Sequence, residues 1–420
     1  MANALLVDFG ASRIKSVLIN TVTGAVLDSY EEASPSSLHR STTIDECEIP
    51  VDLYWKAFER SVSNFKQVDR IYICSEMHGF VLHGATDYIS WKDQRVKIDT
   101  ITQHADRFFE ITGMKLRAGL PFVSMFVAKC LIVGPVRFCT LVDYLLIRGG
   151  CKNPKSNITL AASTGLVDVN NNQWSTELIS LYDVPLDRLS FNEITTDINE
   201  CLGIISIAGK QIPVYAGIGD LQSAMHGANF GKDLTAVVNL GTGSQVVCDI
   251  NSTTETRPAV SGKPASVITH ISSGRALNVL AKFVNDIAGK DIFWSKWVGI
   301  SLDDVLSATP VSNINFFEAA WQWNGSTGSI GLTEHRSTLD LVLPEIARTW
   351  IQQYADAINL IDPNKECTIV GVIGGLASKS HFAVSALNAI DPNRTYQYVS
   401  SITGEETLDG LLKIATDEKP

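Results

Sequence analysis

The chain has 420 residues, 45% of them hydrophobic, and a formal net charge of −11. That length exceeds one ordinary core, so two domains of about 200 residues each are expected. The acidic balance and the lack of any Lys/Arg run argue against a nucleic-acid partner, because such binding rests on a basic surface that releases counterions.

The first segment, LLVDFGASRIKSVLIN (residues 5–20), reads as two strands joined at Gly10-Ala11-Ser12, with Asp8 at a strand end. No basic region precedes its apolar run, so no secretory signal is expected. A turn of small residues lets an anion approach main-chain N–H groups, and the same pattern also suits an ordinary hairpin. In RIYICSEMHGFVLHGATDYISWKDQR (70–95), a strand Ile71–Cys74 breaks at Ser75-Glu76-Met77-His78-Gly79 before strands Phe80–His83 and one running to Trp91. A polar loop between buried strands would put Glu76 and His78 on an open edge, with Trp91 available to cover a sugar face. A structural role is the alternative for the histidine, and a solvated turn for the pair Asp93 and Arg95.

The most apolar long stretch, Phe122–Ile147, is interrupted by Lys129, Gly134, Pro135, Arg137 and Asp143, so it reads as core rather than a bilayer span. Within it Thr140–Ile147 is expected to be a helix closed by Gly149-Gly150. The eight cysteines are scattered without a C-x-x-C pair, which fits reduced thiols in a cytoplasmic protein. Next, VYAGIGDLQSAMHGANFG (214–231) brings a strand Pro213–Ala216 into a glycine loop, and Asp220 opens a helix through about Gly227. Asp220 reads two ways: as an N-cap, or as a general base that takes a proton from an attacking hydroxyl. The domain boundary is expected near Asn229.

Residues 236–250, AVVNLGTGSQVVCDI, repeat the opening device, and Gly241 of the turn Gly241-Thr242-Gly243-Ser244 follows Gly10 by 231 residues. Such a repeat predicts two similarly built domains, and two anion cradles would suit a polyphosphate. Helices are expected over Arg275–Ala288, stopped by Gly289, and over Thr338–Leu360, with Pro344 tolerated near its start. Trp321 and Trp323 fit either a ligand-covering or a core role. Near the C-terminus a strand Cys367–Ile373 runs into Gly374-Gly375, with a helix from about Ser378. Glycines between strand and helix let a nucleotide approach the backbone closely, and they also occur as plain turn chemistry. A helix over Glu406–Ala415 closes the chain. No G-x-x-x-x-G-K-[ST] occurs, and no G-x-G-x-x-G follows a strand.

Taken together and in this order, the motifs resemble the FGGY carbohydrate kinases of the actin-like ATPase superfamily. VDFGASRIK is similar to their first phosphate loop, SEMHG to the sugar loop that xylulose kinases write SGQMHG, and ISWKDQR to the W-x-D-x-R after it. FFEITGMKLRAGLP and LVDYLLIRGG are similar to the next two N-domain signatures. AGIGDLQSAMHG is similar to the catalytic-aspartate segment, NLGTGSQ to the second phosphate loop, and GVIGGLASKS to the adenosine region.

The resemblance implies an α/β fold of two ribonuclease-H-like domains with a cleft between them. Residues 1–228 would be the sugar-binding and catalytic domain, and 229–420 a shortened nucleotide-binding domain. It implies ATP-dependent phosphorylation of a hydroxyl on a small ketose or related polyol. By similarity Asp220 is the general base and touches the acceptor, and Asp8 holds Mg²⁺ through water. Gly10, Ala11 and Ser12, with Gly241, Thr242 and Gly243, bracket the phosphates of ATP. Glu76, Met77 and His78 line the sugar pocket, and Gly374, Gly375 and Ser378 lie against adenosine. The implied partner is a small sugar, with no nucleic acid or membrane, and a homodimer is left open. Three positions depart from the pattern. Ala11 replaces a threonine, Glu76 a glutamine and Leu221 a polar residue, and the last two are expected to alter the sugar pocket. A sugar or nucleotide sensor with weak turnover, or an ATPase without a sugar, are the rival readings.

Overall fold

The computed structural model describes residues 3–36, 46–250, 252–310, 312–317, 320–322, 328–335 and 337–417. The chain divides into two compact units. The first is Met1–Gly227 with Thr256–Pro264 and Ser401–Pro420; the second is Ala228–Glu255 with Ala265–Ser400.

In the first unit, β1 (Asn3–Phe9), β2 (Arg13–Asn20), β3 (Val26–Ala33), β4 (Arg70–Ser75), β5 (Gly203–Ile207) and β6 (Lys210–Gly219) form one sheet. Their spatial order is β5-β6-β4-β1-β2-β3. β1, β2 and β3 pair antiparallel, whereas β1, β4 and β6 run parallel. β1 is central and buried along nearly its whole length, which is why it is an almost unbroken apolar run; β3, at the edge, carries Asp28, Glu31 and Glu32. Asp8 lies opposite Cys74, and Cys74 opposite Ile218, so the three parallel strands end side by side. β6 is longer than the expected strand because a bulge at Ala216, with Gly217 at φ 59, lets pairing continue to Gly219.

One face of this sheet packs Leu5, Val7, Ile71 and Ile73 against helices Val51–Ser63 and Leu141–Arg148. The other face, with Leu6, Tyr72, Cys74 and Ile218, is covered by Leu408, Leu411, Leu412 and Ile414 of the C-terminal helix Glu406–Asp417. Each leucine buried there contributes about 1.5–3 kcal/mol. The sequence reading gave all of 229–420 to the second domain. The chain instead returns at Ser401, because this helix's apolar stripe is matched by a sheet face of the first unit that would otherwise be bare.

In the second unit, β7 (Ala236–Asn239), β8 (Ser244–Cys248), β9 (Pro264–Ile271), β10 (Ile369–Ile373) and β11 (Thr395–Tyr398) are neighbours in the order β9-β8-β7-β10-β11. β9, β8 and β7 pair antiparallel, and β7, β10 and β11 parallel. This is the order and sense of β3-β2-β1-β4-β6, so the repeat seen at the two turns extends through both sheets. The expected α/β class with two ribonuclease-H-like halves is thus what the strands form.

Trp350, Tyr354 and Ile358 of the helix Leu339–Ile361 pack onto Val238 and Val246, with Pro344 near the helix start as expected. Trp321 packs partly buried against the same core, which favours its core role; Trp323 lies outside the described residues. Among the described residues no helix is long and apolar enough to cross a membrane.

Candidate active site

Three acidic residues stand at the carboxyl ends of the three adjacent parallel strands of the first unit. Asp8 is near the end of β1, Glu76 follows β4 and Asp220 follows β6. The Glu76 N–H donates to the Phe9 carbonyl at 2.8 Å, which extends the β1/β4 register into the loop. Strand ends of this kind are where open α/β sheets bind ligands, since the backbone there is released from pairing.

Asp8 is only 5% exposed. Its Oδ2 accepts from Thr407 Oγ1 at 2.7 Å and its Oδ1 from Cys74 Sγ at 3.5 Å. Burial pushes its carboxyl above the ordinary range, against the pull of the Thr407 bond and the nearby Lys15 ammonium. Asp220 begins the helix Asp220–Gly227, and its Oδ1 accepts from the adjacent Leu221 N–H at 2.8 Å. An N-cap reaches the second or third amide of its helix, so the cap reading loses ground. Burial, then the charge of Asp8, push the Asp220 carboxyl up to about 7, with Glu76 adding to the rise and the Leu221 bond opposing it. A carboxylate that titrates near neutrality suits general-base work.

The SEMHG loop is more internally committed than its sequence implied. Glu76, 6% exposed, accepts from Trp91 Nε1 at 2.9 Å and from the Tyr54 hydroxyl at 3.3 Å. Burial raises its carboxyl, with the Trp91 bond opposing. It therefore fixes the indole of Trp91, which lies in a turn after the strand Asp87–Ile89 rather than within it. Met77 packs against Gly219, where a Cβ would overlap its sulfur. His78 takes a left-handed φ of 63, and its Nδ1 faces the Ser163 carbonyl at 2.6 Å. Nδ1 must then carry the proton, which makes Nε2 the acceptor of the neutral ring.

Another sequence expectation changes. Asp93, 2% exposed, is no solvated turn residue: its carboxylate accepts from Arg95 Nε at 3.0 Å and from the Cys47 N–H at 3.0 Å. Arg95 also bonds Glu48 at 2.6 Å, so the pair ties the Trp91 turn to the strand Glu48–Pro50. Leu221, expected to alter the sugar pocket, is buried near the start of the helix Asp220–Gly227. The polar residue beside it, Gln222, donates Nε2 to the Pro258 carbonyl at 3.1 Å, and its buried Oε1 has no partner among the described residues. Sequence reasoning missed Gln222 and also missed Thr407, which lies 399 residues from the carboxylate it contacts.

The second unit carries a matching turn without the acids. The Gly241 N–H donates to Ser244 Oγ at 3.1 Å, as the Gly10 N–H donates to the Arg13 carbonyl at 3.1 Å. In both turns the first glycine's amide closes the turn, and the exposed residues are Ala11 and Ser12 in one, Thr242 and Gly243 in the other. The start of the helix Gly274–Ala288 is stitched to the second turn: the Gly274 N–H donates to the Gly241 carbonyl at 3.1 Å and the Arg275 N–H to the Thr242 carbonyl at 3.3 Å. That end of a helix favours anions.

Gly374 has φ 101, and a Cβ there would lie 2.6 Å from Asn239 Oδ1, so the β10 loop is seated against the end of β7. The short helix Gly375–Lys379 begins at the glycines rather than at Ser378, whose Oγ donates back to the Gly375 carbonyl at 3.0 Å. Among the described residues, apart from their chain neighbours, nothing lies within 4 Å of where a Cβ would sit at Gly243 or Gly375. Among the described residues no cluster of three or more His, Cys, Asp or Glu could hold a metal ion.

No protein-family model matches the chain. It is 24% identical to the glycerol kinase of Coxiella burnetii over 372 residues, which covers 77% of this chain and 70% of that protein. A gluconate kinase from Lactobacillus acidophilus superposes with a TM-score of 0.80 at 17% identity, covering 99% of this chain and 89% of the other. A ligand-bound xylulose kinase from the same organism gives 0.77 at 17% identity, with the same 99% and 89% coverage. The Plasmodium falciparum glycerol kinase with ADP gives 0.77 at 14% identity, covering 100% and 90%.

Proposed function

We propose that this chain, which resembles the FGGY carbohydrate kinases in sequence and shares their fold, transfers the γ-phosphate of ATP to a hydroxyl of a small ketose or related polyol. The observation that carries the reading is the place of Asp220, at the end of a parallel strand in the same row as Asp8 and Glu76, and its raised carboxyl accords with it. In the proposed reaction Asp220 takes the proton of the acceptor hydroxyl as that oxygen bonds to the γ-phosphorus. The bond from phosphorus to the β,γ-bridging oxygen breaks, and ADP leaves. Protein groups need only align the reactants and neutralise charge, because phosphoryl transfer asks for little covalent help.

Each side chain then has a task. Met77, His78 and Trp91 line the acceptor site, Trp91 held by Glu76 and His78 by Ser163. In each unit by itself, the amides of the turn, around Ala11–Ser12 or around Thr242–Gly243, take phosphate oxygens, and the positive end of the helix Gly274–Ala288 favours the anion at the second turn. Gly374, Gly375 and Ser378 lie on the adenosine side. Asp8 fits Mg²⁺ through bound water: it offers hard oxygen donors, each accepting one bond with a lone pair to spare, and Mg²⁺ keeps waters and phosphates rather than an all-protein cage. When bound, the ion would neutralise charge on the β- and γ-phosphates.

Mass spectrometry of products formed from Mg·ATP with glycerol, xylulose, ribulose, sedoheptulose and gluconate tests the reading. A phosphorylated product from one acceptor supports it and names the substrate. Calorimetric binding of ATP or sugar with no phosphorylated product would replace it with a sensor on the same fold.

A further inference from the structure

The C-terminal segment enters the first unit at the acidic strand ends. Thr407 Oγ1 donates to Asp8 Oδ2 at 2.7 Å, and the Thr407 carbonyl accepts from Ser223 Oγ at 2.6 Å. Ser223 lies on the helix that Asp220 begins. Two residues earlier in the same segment, Glu405 pairs with Lys15, the residue opposite Asp8 in the β1/β2 register. Two residues of this segment, Glu405 and Thr407, thus reach Asp8, its cross-strand neighbour and the Asp220 helix.

This segment is itself firmly held. The Asp409 carboxylate accepts from the N–H groups of Ile402 and Thr403 at 2.9 and 2.8 Å and from the Thr403 hydroxyl at 2.8 Å. Gly410 allows close approach to Ser223, since a Cβ there would overlap the Ser223 carbonyl. Leu408 and Leu411 anchor the helix on the sheet. A threonine hydroxyl donates one hydrogen bond, and given to a buried carboxylate it decides which lone pairs remain for other groups. Loss of that donor leaves a buried oxygen undersatisfied and lets the carboxylate turn.

We propose that Thr407 is a positioning residue for Asp8, and that the segment Glu405–Thr407 holds Asp8 and the Asp220 helix in the one arrangement that phosphoryl transfer requires. This rests on the functional reading above. The segment Glu405–Thr407 then acts through Asp8 and the Asp220 helix.

The test uses full-length Thr407→Val, Thr407→Ser and Glu405→Gln. Readouts are kcat, acceptor KM, the Mg²⁺ concentration for half-maximal rate, and calorimetric affinity for the non-hydrolysable analogue AMPPNP with and without Mg²⁺. Thr407→Val should lower kcat about tenfold and raise the Mg²⁺ requirement several-fold, with acceptor KM held within about twofold. Thr407→Ser, which keeps the hydroxyl, should return kcat to within about twofold of wild type. Glu405→Gln, at a more exposed side chain whose loss does not threaten the fold, should lower kcat about threefold.

Wild-type kcat and Mg²⁺ requirement in Thr407→Val, or a serine variant no better than the valine, would overturn the proposal. So would wild-type behaviour of Glu405→Gln if the valine variant does not fold. If the wild-type protein phosphorylates nothing, the functional reading fails on its own account. The Mg²⁺-dependent gain in AMPPNP affinity then decides this one: a gain reduced in Thr407→Val supports it, and an unchanged gain rejects it.

Discussion

In the first unit the strand entering the glycine turn ends Asp8-Phe9, and in the second the corresponding strand ends at Asn239, with Leu240 following it. The sheets around them have the same strand order and sense, and both turns spend their first glycine amide on closing themselves. The neighbours differ in charge. Parallel strands beside β1 lead to Glu76 and Asp220, whereas β10 beside β7 leads to Gly374. One fold therefore supplies a carboxylate-lined strand end and an uncharged one. The first suits a cation that can accompany a phosphate at its turn and a hydroxyl that must lose a proton; the second suits phosphate with no neighbouring carboxylate to repel it.

That contrast can be broken at several points. The largest effect is expected for Asp220→Asn, which should cut turnover by about 10²–10⁴-fold while acceptor binding, measured by calorimetry, stays near wild type. The same variant should be more stable than wild type at pH 8. The folded-state carboxyl is raised to about 7, so ionisation opposes folding once pH exceeds the ordinary carboxylate value. The gain should be complete above about 7 and vanish as pH falls toward about 4, as followed by thermal unfolding.

Gly374→Ala tests the neutral cradle's geometry. Backbone at φ 101 and ψ 151 excludes side chains, so a loss of about 2–3 kcal/mol in denaturant unfolding is expected. Asn239→Asp places an acid beneath the second turn and should raise the KM for ATP about tenfold with little change in acceptor KM. The smallest effect belongs to Glu76→Gln. Removing a charge that raises Asp220 should move the acidic limb of kcat/KM to lower pH, and a limb moving to higher pH would contradict the electrostatic account.

Both glycine turns were legible because small residues interrupt apolar strands, and the likeness of the two segments reveals the repeat in the sequence itself. Asp220 at the head of its helix was legible for the same local reason. The return of Glu406–Asp417 to the first unit was not: an amphipathic pattern announces that one face is buried but not which sheet buries it. Thr407 stayed hidden because its bond to Asp8 spans almost the whole chain. Asp93 was misjudged because its burial depends on a partner at Cys47 and, through Arg95, on Glu48, neither of which a single window of sequence contains.

The most direct measurement is ADP formation from Mg·ATP by wild type and Asp220→Asn side by side, with and without each acceptor of the panel. The account predicts that one acceptor stimulates wild-type ADP formation well above the acceptor-free rate and that the variant loses this stimulation. Equal rates with and without every acceptor, or full stimulation in the variant, would contradict it.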